Sequence, residues 1–103
     1  MENVKEYLEH INKAFESRVR LGIMSVLMVE DSADFNTLKE TLQLTDGNLA
    51  SHLRALEEAN YLRVEKQFIG RKPNTRYMAT TEGREAFKNH LDALERLILN
   101  NRT

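Results

Sequence analysis

The 103-residue sequence predicts a mainly α-helical domain of the α+β class, in which one β-hairpin interrupts a series of helices. Three observations predict this class. Apolar side chains recur at the helical period in four segments, and a fifth segment is apolar nearly all round. One stretch, residues 61–79, instead alternates apolar and polar side chains as strands do. The length and the composition, 41% hydrophobic and 30% charged, are typical of a single globular domain, expected over residues 1–103.

Composition excludes several functional classes. No apolar run reaches the roughly 20 residues that cross a bilayer, and the acidic, amphipathic N-terminus does not resemble a signal peptide. We therefore expect no membrane partner and a cytoplasmic location. The absence of cysteine excludes disulfides, thiolate zinc sites and cysteine nucleophiles. We expect no metal and no cofactor.

The charge is distributed unevenly along the chain, although the net charge is only −1. Residues 1–46 carry nine acids and five bases, and residues 77–103 carry four of each. Residues 47–76 carry three acids and six bases, so this segment is +3 within a chain that is otherwise −4. A local basic patch of this kind is what contact with nucleic-acid phosphates requires.

The first half of the chain predicts two helices. An apolar stripe with spacing i, i+4, i+7, i+11 predicts an amphipathic helix over about residues 3–16. Ser17 is the expected N-cap of a second helix, which is apolar nearly all round and should be the buried centre of the domain. The polar residues 30–34 are read as a turn.

The last predicted helix, residues 81–100, is capped by Thr80 and carries an apolar seam of about three turns. Its far end and the first helix both present more apolar surface than so small a domain can cover. We therefore predict a homodimer formed by the terminal helices. The alternative is a monomer in which both stripes fold onto their own domain. The dimerisation candidates are Val4, Leu8, Ile11, Phe15, Leu91, Leu94 and Ile98.

Between these helices, residues 34–59 predict a helix-turn-helix. A short helix capped by Asp34 or Asn36 is followed, after about three residues, by a helix over residues 46–58 capped by Thr45. The buried stripe of the helix over residues 46–58 consists of Leu49, Leu53 and Leu56.

The opposite face of that second helix is small and polar, whereas an ordinary solvated face carries long Glu and Lys side chains. It presents Gly47, Asn48, Ser51, Arg54, Ala55 and Glu58, and its N-terminal part is the small, polar part. Small side chains allow a backbone to approach a partner closely, and Asn, Ser and Arg can hydrogen-bond base edges in a major groove. The alternative is a solvated amphipathic helix.

A predicted β-hairpin follows, with Arg71 and Lys72 at its tip. Its strands begin at Leu62 and Thr75, and residues 70–74 form the turn. Beside a helix-turn-helix, such a hairpin is typical of a wing that places cations in a minor groove or on phosphates.

Five segments of the chain match a known family pattern: Arg20–Met24, Asp34–Glu40, Leu44–Leu53, Gly70–Pro73 and Tyr77–Arg84. Together they resemble the winged-helix transcriptional regulators of the MarR and ArsR type, in their small single-domain branch. The resemblance implies a winged helix-turn-helix in a dimeric prokaryotic DNA-binding regulator, with residues 46–58 as recognition helix and residues 68–75 as wing. It also places His52 near the phosphates, although its position on the helix equally favours a packed structural histidine.

Two departures from that pattern concern the turn and the histidines. Gln43 stands where the family often has glycine, and a positive φ there costs a non-glycine residue about 1 kcal/mol. The family's metal sensors use cysteine or histidine clusters, whereas His10, His52 and His90 are far apart in this sequence. His10 and His90 lie on the terminal helices and either meet at a dimer interface or face solvent.

The sequence thus predicts a homodimeric, sequence-specific regulator that binds double-stranded DNA. The alternative is a winged helix that contacts another protein. An enzyme is not expected, because the chain has no phosphate-binding glycine loop and no nucleophile elbow. A small-molecule effector would fit between the terminal helices and the DNA-binding lobe, but no residue cluster marks a site. The DNA-contacting candidates are Thr45, Gly47, Asn48, Ser51, His52, Arg54, Lys66, Arg71, Lys72 and Arg76.

Overall fold

The computed structural model describes residues 4–100, with side chains to residue 99. Along the chain these residues form α1 (Val4–Glu9), a 3-10 turn (Lys13–Phe15), α2 (Arg18–Val29), β1 (Ala33–Asp34), α3 (Phe35–Leu42), α4 (Asp46–Glu58), β2 (Leu62–Ile69), β3 (Lys72–Ala79) and α5 (Thr81–Asn100). The mainly α-helical, winged helix-turn-helix fold expected from the sequence is confirmed. Within the described range, no helix combines the length and apolarity that a membrane span requires.

Polar side chains set where four of the helices begin. In each case the side-chain oxygen of the residue before the helix accepts a hydrogen bond from the amide three residues later. These caps are Ser17, Asp34, Thr45 and Thr80. Each was an expected cap, so the helix starts follow from local hydrogen-bonding chemistry.

The hydrophobic core is built around α2, as its all-round apolar sequence predicts. Ile23, Met24 and Leu27 of α2 are completely buried. The leucine stripes of α3 and α4 pack against it, and β2 and α5 close the core from the other side. The remaining buried apolar residues are Phe15, Ala33, Leu38, Leu49, Leu53, Leu56, Leu62, Phe87 and Ala93.

The sheet has three strands in the order β1-β3-β2, all antiparallel. Strands β2 and β3 pair from Leu62 with Ala79 out to Ile69 with Lys72, so the hairpin turn is only two residues long. The turn predicted over residues 70–74 is too long, because residues 72–74 pair with β2 and belong to β3. Gly70 has φ +64°, which suits the first central residue of a type II′ turn. The short strand β1 was missed, because two residues within a polar stretch show no alternation.

The helix predicted over residues 3–16 is wrong. Helix α1 ends at Glu9, and Asn12 adopts extended backbone (φ −90°, ψ 120°). The amide of Asn12 donates to His90 Nδ1 at 3.0 Å, its side-chain amide donates to the Tyr61 hydroxyl at 2.9 Å, and its side-chain oxygen caps the 3-10 turn. These three bonds replace the helical ones that continuation of α1 would have formed.

This break carries Phe15 into the core, which corrects its assignment to a dimer seam. Phe15 is completely buried. Its ring stacks on Tyr61, with the ring centroids 5.2 Å apart, and it meets the ring of Phe87 edge-on at the same distance. Pairs of this geometry add to the stabilisation that burial provides. Phe15 therefore holds α5 and the base of the hairpin together inside one chain.

The molecule is elongated because α5 extends beyond the core. Twenty residues of helix span about 30 Å. The radius of gyration is 15.7 Å, against about 13 Å for a compact domain of this length, and the longest dimension is 58 Å. The outer half of α5 therefore forms an arm.

Candidate nucleic-acid interface

Helix α4 has one buried face and one open face, as its sequence predicts. Leu49, Leu53 and Leu56 are buried. The opposite side of α4 exposes the residues predicted to contact bases, which are Gly47, Asn48, Ser51 and Arg54. The cap residue Thr45 is also exposed. A Cβ added at Gly47 would meet no atom within 4 Å, so this part of the face is open. The exposed face is small and polar from Gly47 to Ser51 and cationic at Arg54.

An ion pair neutralises the acid at the start of this face. Lys39 Nζ of α3 lies 2.8 Å from Asp46 Oδ1, the first residue of α4. Because this contact is solvent-exposed, it contributes little to stability. It does lower the negative charge that a phosphate would meet at the helix N-terminus. The acids Glu57 and Glu58 stand at the other end of the helix.

The hairpin contributes a second cation beside α4. Cross-strand partners share a face of a sheet, so Lys66 and Thr75 lie on the same face as the core residue Leu62. Lys66 and Thr75 border one groove together with Arg54 of α4. Burial, and then the charge of Glu57, raise the pKa of Tyr77, the tyrosine in the floor of this groove. The structure therefore brings two predicted cations, Arg54 and Lys66, to one groove.

The two cations at the hairpin turn, Arg71 and Lys72, are exposed. They lie at the far end of the hairpin from the core, with Gly70 allowing the tight reversal. This is where the sequence predicted them.

Arg76 is placed differently from the other cations. It pairs with Glu65, so it lies on the sheet face opposite Lys66. Its guanidinium donates from Nε to Ser32 Oγ at 2.9 Å and from Nη2 to the Ser32 carbonyl oxygen at 3.3 Å. Arg76 therefore fastens the segment before β1 to the sheet. This internal role was missed because the strand β1 was missed, and it argues against the predicted phosphate contact.

His52 is half-buried and bonded within the protein. Its Nδ1 accepts a hydrogen bond from Arg20 Nε at 3.0 Å, and Arg20 Nη1 donates to the Ala14 carbonyl oxygen at 3.4 Å. Burial, and then the charge of Arg20, lower the pKa of His52. Of the two alternatives left open, the structure supports the packed histidine, which links α4 to Arg20 of α2.

Two further residues border the open face of α4, and the sequence did not predict them there. Arg18, at the exposed start of α2, and Gln43, in the turn between α3 and α4, line one groove with Asn48. Arg18 is 30 positions from Asn48 in the sequence, so only the packing of α2 against α4 brings them together. No local pattern could have found this neighbour.

The terminal helices present a partly exposed apolar seam. Leu8 of α1 and Leu91 and Ile98 of α5 expose 54%, 43% and 59% of their surface. Val4, Ile11 and Leu94 are half-buried. Leu99, half-exposed and not among the candidates, lies beside Ile98. Six of the seven predicted seam residues thus keep some accessible surface, and Phe15 does not.

The terminal histidines occupy different environments. His90 is 2% exposed, and burial lowers its pKa. His10 is exposed. The Nδ1 of His90 is already an acceptor for Asn12, so His90 is a structural histidine of the core.

The comparisons with known proteins agree with this geometry. The chain matches the family described as winged helix DNA-binding domain over residues 19–98. It is 43% identical over 79 residues to an uncharacterised protein of Methanocaldococcus jannaschii, covering 77% of this chain and 86% of that one. A solved transcriptional regulator homologue from Pyrococcus horikoshii OT3 is 34% identical, with a TM-score of 0.85 and complete coverage of both chains.

More distant structures share the fold. The putative transcriptional regulator ytfH from Salmonella typhimurium is 22% identical, with a TM-score of 0.69, covering 87% of this chain and 80% of that chain. The match to the family extends from the first turn of α2 to the arm of α5 and so includes every element that builds the α4 face and the hairpin. The chain belongs to the winged helix DNA-binding domain family.

Proposed function

We propose that this protein is a cytoplasmic transcriptional regulator that binds double-stranded DNA sequence-specifically as a homodimer. The observation that carries the proposal is the small, polar, exposed face of α4 beside a hairpin that bears Lys66 on the same side and Arg71 and Lys72 at its tip. Asn, Ser and Arg side chains can hydrogen-bond base edges in a major groove, and neighbouring cations can contact the phosphates beside it.

The proposed roles follow from position. Asn48 and Ser51 read base edges, and the absence of a side chain at Gly47 allows close approach. Arg54, Lys66, Arg71 and Lys72 contact phosphates, with the hairpin tip over the adjoining minor groove. The exposed seam of α1 and α5 joins two copies, so that two α4 helices reach successive major grooves about 34 Å apart.

The test begins with selection of bound duplexes, about 30 base pairs long, from a random library. Affinity for the selected duplex is then measured across salt concentrations. Asn48→Ala should reduce discrimination against altered sites about tenfold, because one base-reading amide is lost. Arg71→Ala with Lys72→Ala should weaken binding to every duplex and lower the logarithmic salt slope by about 4, because the homodimer loses two cations from each chain. Lys88→Ala, an exposed cation on α5, is the matched control.

If neither Asn48→Ala nor the Arg71→Ala, Lys72→Ala double variant alters DNA binding, the open face of α4 is wrongly assigned. The alternative function is contact with another protein, for which the exposed acids Glu57 and Glu58 are the motivating feature. Failure to retain any duplex at low salt would favour that alternative, since DNA binding depends steeply on salt.

A further inference from the structure

Two large apolar side chains stand exposed at the end of the hairpin. Phe68 exposes 75% of its surface and Ile69 exposes 62%, and they directly precede the two-residue turn. Because the turn is so short, the hairpin itself offers nothing to cover them. Single exposed apolar side chains are common on protein surfaces, so the charges around these two decide what kind of partner would cover them.

The hairpin aims Phe68 toward the same side as the cationic groove. Phe68 pairs with Pro73, and this pair lies on the sheet face that carries Lys66 and Thr75 one step nearer the core. Ile69 pairs with Lys72 on the other face. Lys66 therefore lies nearer to α4, and the apolar pair of Phe68 and Pro73 lies farther out along the same face of the hairpin.

The charge of the tip identifies the kind of partner. Residues 66–73 carry three cations, Lys66, Arg71 and Lys72, and no acid. Two such tips repel each other, which argues against a contact between the hairpins of two copies. A polyanion whose apolar interior is accessible between its charged edges fits both the cations and the exposed apolar side chains of the tip. A DNA duplex is such a partner.

We propose that the hairpin tip is an apolar wedge that enters the minor groove and partly unstacks one base step, with Phe68 as the inserting side chain. This inference rests on the proposed DNA binding and adds a mode of recognition to it. Proteins that kink DNA insert Phe, Ile or Pro side chains between base steps from the minor groove, bending the duplex by about 20–90°. The three cations hold the phosphates on either side while Phe68 enters. Sequence preference then arises from steps that unstack readily, in addition to the bases that α4 reads.

The experiment uses the full chain and the selected duplex of about 30 base pairs. Dyes at the duplex ends report bending by energy transfer, and 2-aminopurine placed in turn at each pyrimidine–purine step reports unstacking, since these steps open most easily. The wild type should bend the duplex and raise 2-aminopurine fluorescence at one step per hairpin. Phe68→Ala should abolish most of both signals, and Phe68→Leu should retain most of them.

The salt slope separates the wedge from the phosphate contacts. Phe68→Ala removes no charge, so its slope should equal that of the wild type, whereas the Arg71→Ala, Lys72→Ala double variant lowers it. Val29→Ala is the matched control, because Val29 is 82% exposed on α2 and lies outside the proposed interface. Since Phe68 is exposed, its variants should keep the wild-type urea midpoint.

Three outcomes would overturn the proposal in distinguishable ways. If the wild type binds a duplex that stays straight, or if Phe68→Ala bends it equally, the wedge is wrong and DNA binding stands. If Phe68→Ala alone lowers the sedimentation coefficient of the free protein, the tip joins copies of the chain. If the wild type binds no duplex, the proposed function fails and the wedge fails with it.

Discussion

The base of the hairpin and the start of α5 are held together at the level of single residues. Gly83 lies in the first turn of α5, directly against the backbone of Tyr61. A Cβ at position 83 would overlap the Tyr61 carbonyl group at a distance well under 3.0 Å. Because the obstacle is backbone, no rotation of a side chain can relieve it.

Gly83→Ala is therefore expected to lower the free energy of unfolding by about 2 kcal/mol, despite the higher helix propensity of alanine. The control is Gly47→Ala, where a Cβ meets open space and the helix should gain about 0.5–1 kcal/mol. Urea unfolding followed by circular dichroism measures both. Equal stability of the two variants would contradict this close approach.

Acid should destabilise the fold through His90. Its pKa is lowered by burial, with the nearby Glu16 partly opposing, so the unfolded chain takes up a proton first as the pH falls. The contribution to stability is complete above the ordinary pKa of 6.5 and is lost as the pH falls through the lower folded-state pKa. Protonation would also remove the Nδ1 acceptor that Asn12 uses.

The measurement is the free energy of unfolding at about pH 7.5 and about pH 5.5. His90→Asn keeps an acceptor and cannot titrate, so it should lose less stability between the two pH values than the wild type. His52 is present in both proteins and cancels in the comparison. A pH dependence unchanged in His90→Asn would refute the assignment.

At the scale of elements, the turn between α3 and α4 sets the direction in which α4 leaves α3. Gln43 ends α3 with φ +53°, in the left-handed region that the resemblance predicted for this position. A non-glycine residue is strained there. The strain lies in the backbone of Gln43, an exposed residue in the turn between the two helices of the motif.

Gln43→Gly should accordingly raise the free energy of unfolding by about 0.5–1 kcal/mol, the relief exceeding the extra chain entropy of glycine. Asn60→Gly is the comparison, because Asn60 has φ +65° but asparagine tolerates this region better. Its gain should be smaller. Thermal or urea unfolding measures these stabilities. A Gln43→Gly variant less stable than the wild type would contradict the prediction.

The elements that could be predicted from the sequence are those with a local cause. Caps such as Thr45 and Thr80, the leucine stripe of α4 and the hairpin turn each depend on residues within a few positions. The break after Glu9 could not be predicted, because it depends on Asn12 reaching His90 and Tyr61, 78 and 49 residues away. Strand β1 and the role of Arg76 escaped for the same reason.

For the candidate interface, the sequence predicted the residue types on the open face of α4 and at the hairpin tip, and the structure places them on the surface as expected. It did not predict that Arg18 lies beside Asn48, nor that His52 is tied to Arg20. Both depend on how α2 packs across α4, which a helical period cannot convey.

At the scale of the whole molecule, the arm of α5 bears apolar surface that one chain leaves open. Leu91→Glu combined with Ile98→Glu should convert a dimer of 12.0 kDa chains into monomers, because it places charges on the exposed seam. Val29→Glu, at a more exposed apolar residue of α2, should leave the mass unchanged. Sedimentation velocity at micromolar concentration distinguishes these results. A monomeric wild type would remove the basis for paired recognition helices.

Asn12 has a mechanical consequence that reaches across the whole protein. Asn12 donates hydrogen bonds to His90, in the buried half of α5, and to Tyr61 at the base of the hairpin, and Phe15 packs against both of those rings. These contacts couple α5 to the hairpin. In the proposed dimer, the angle at which two arms cross would set the separation of the two hairpins, so a small rotation at the seam would be magnified into a change of operator spacing.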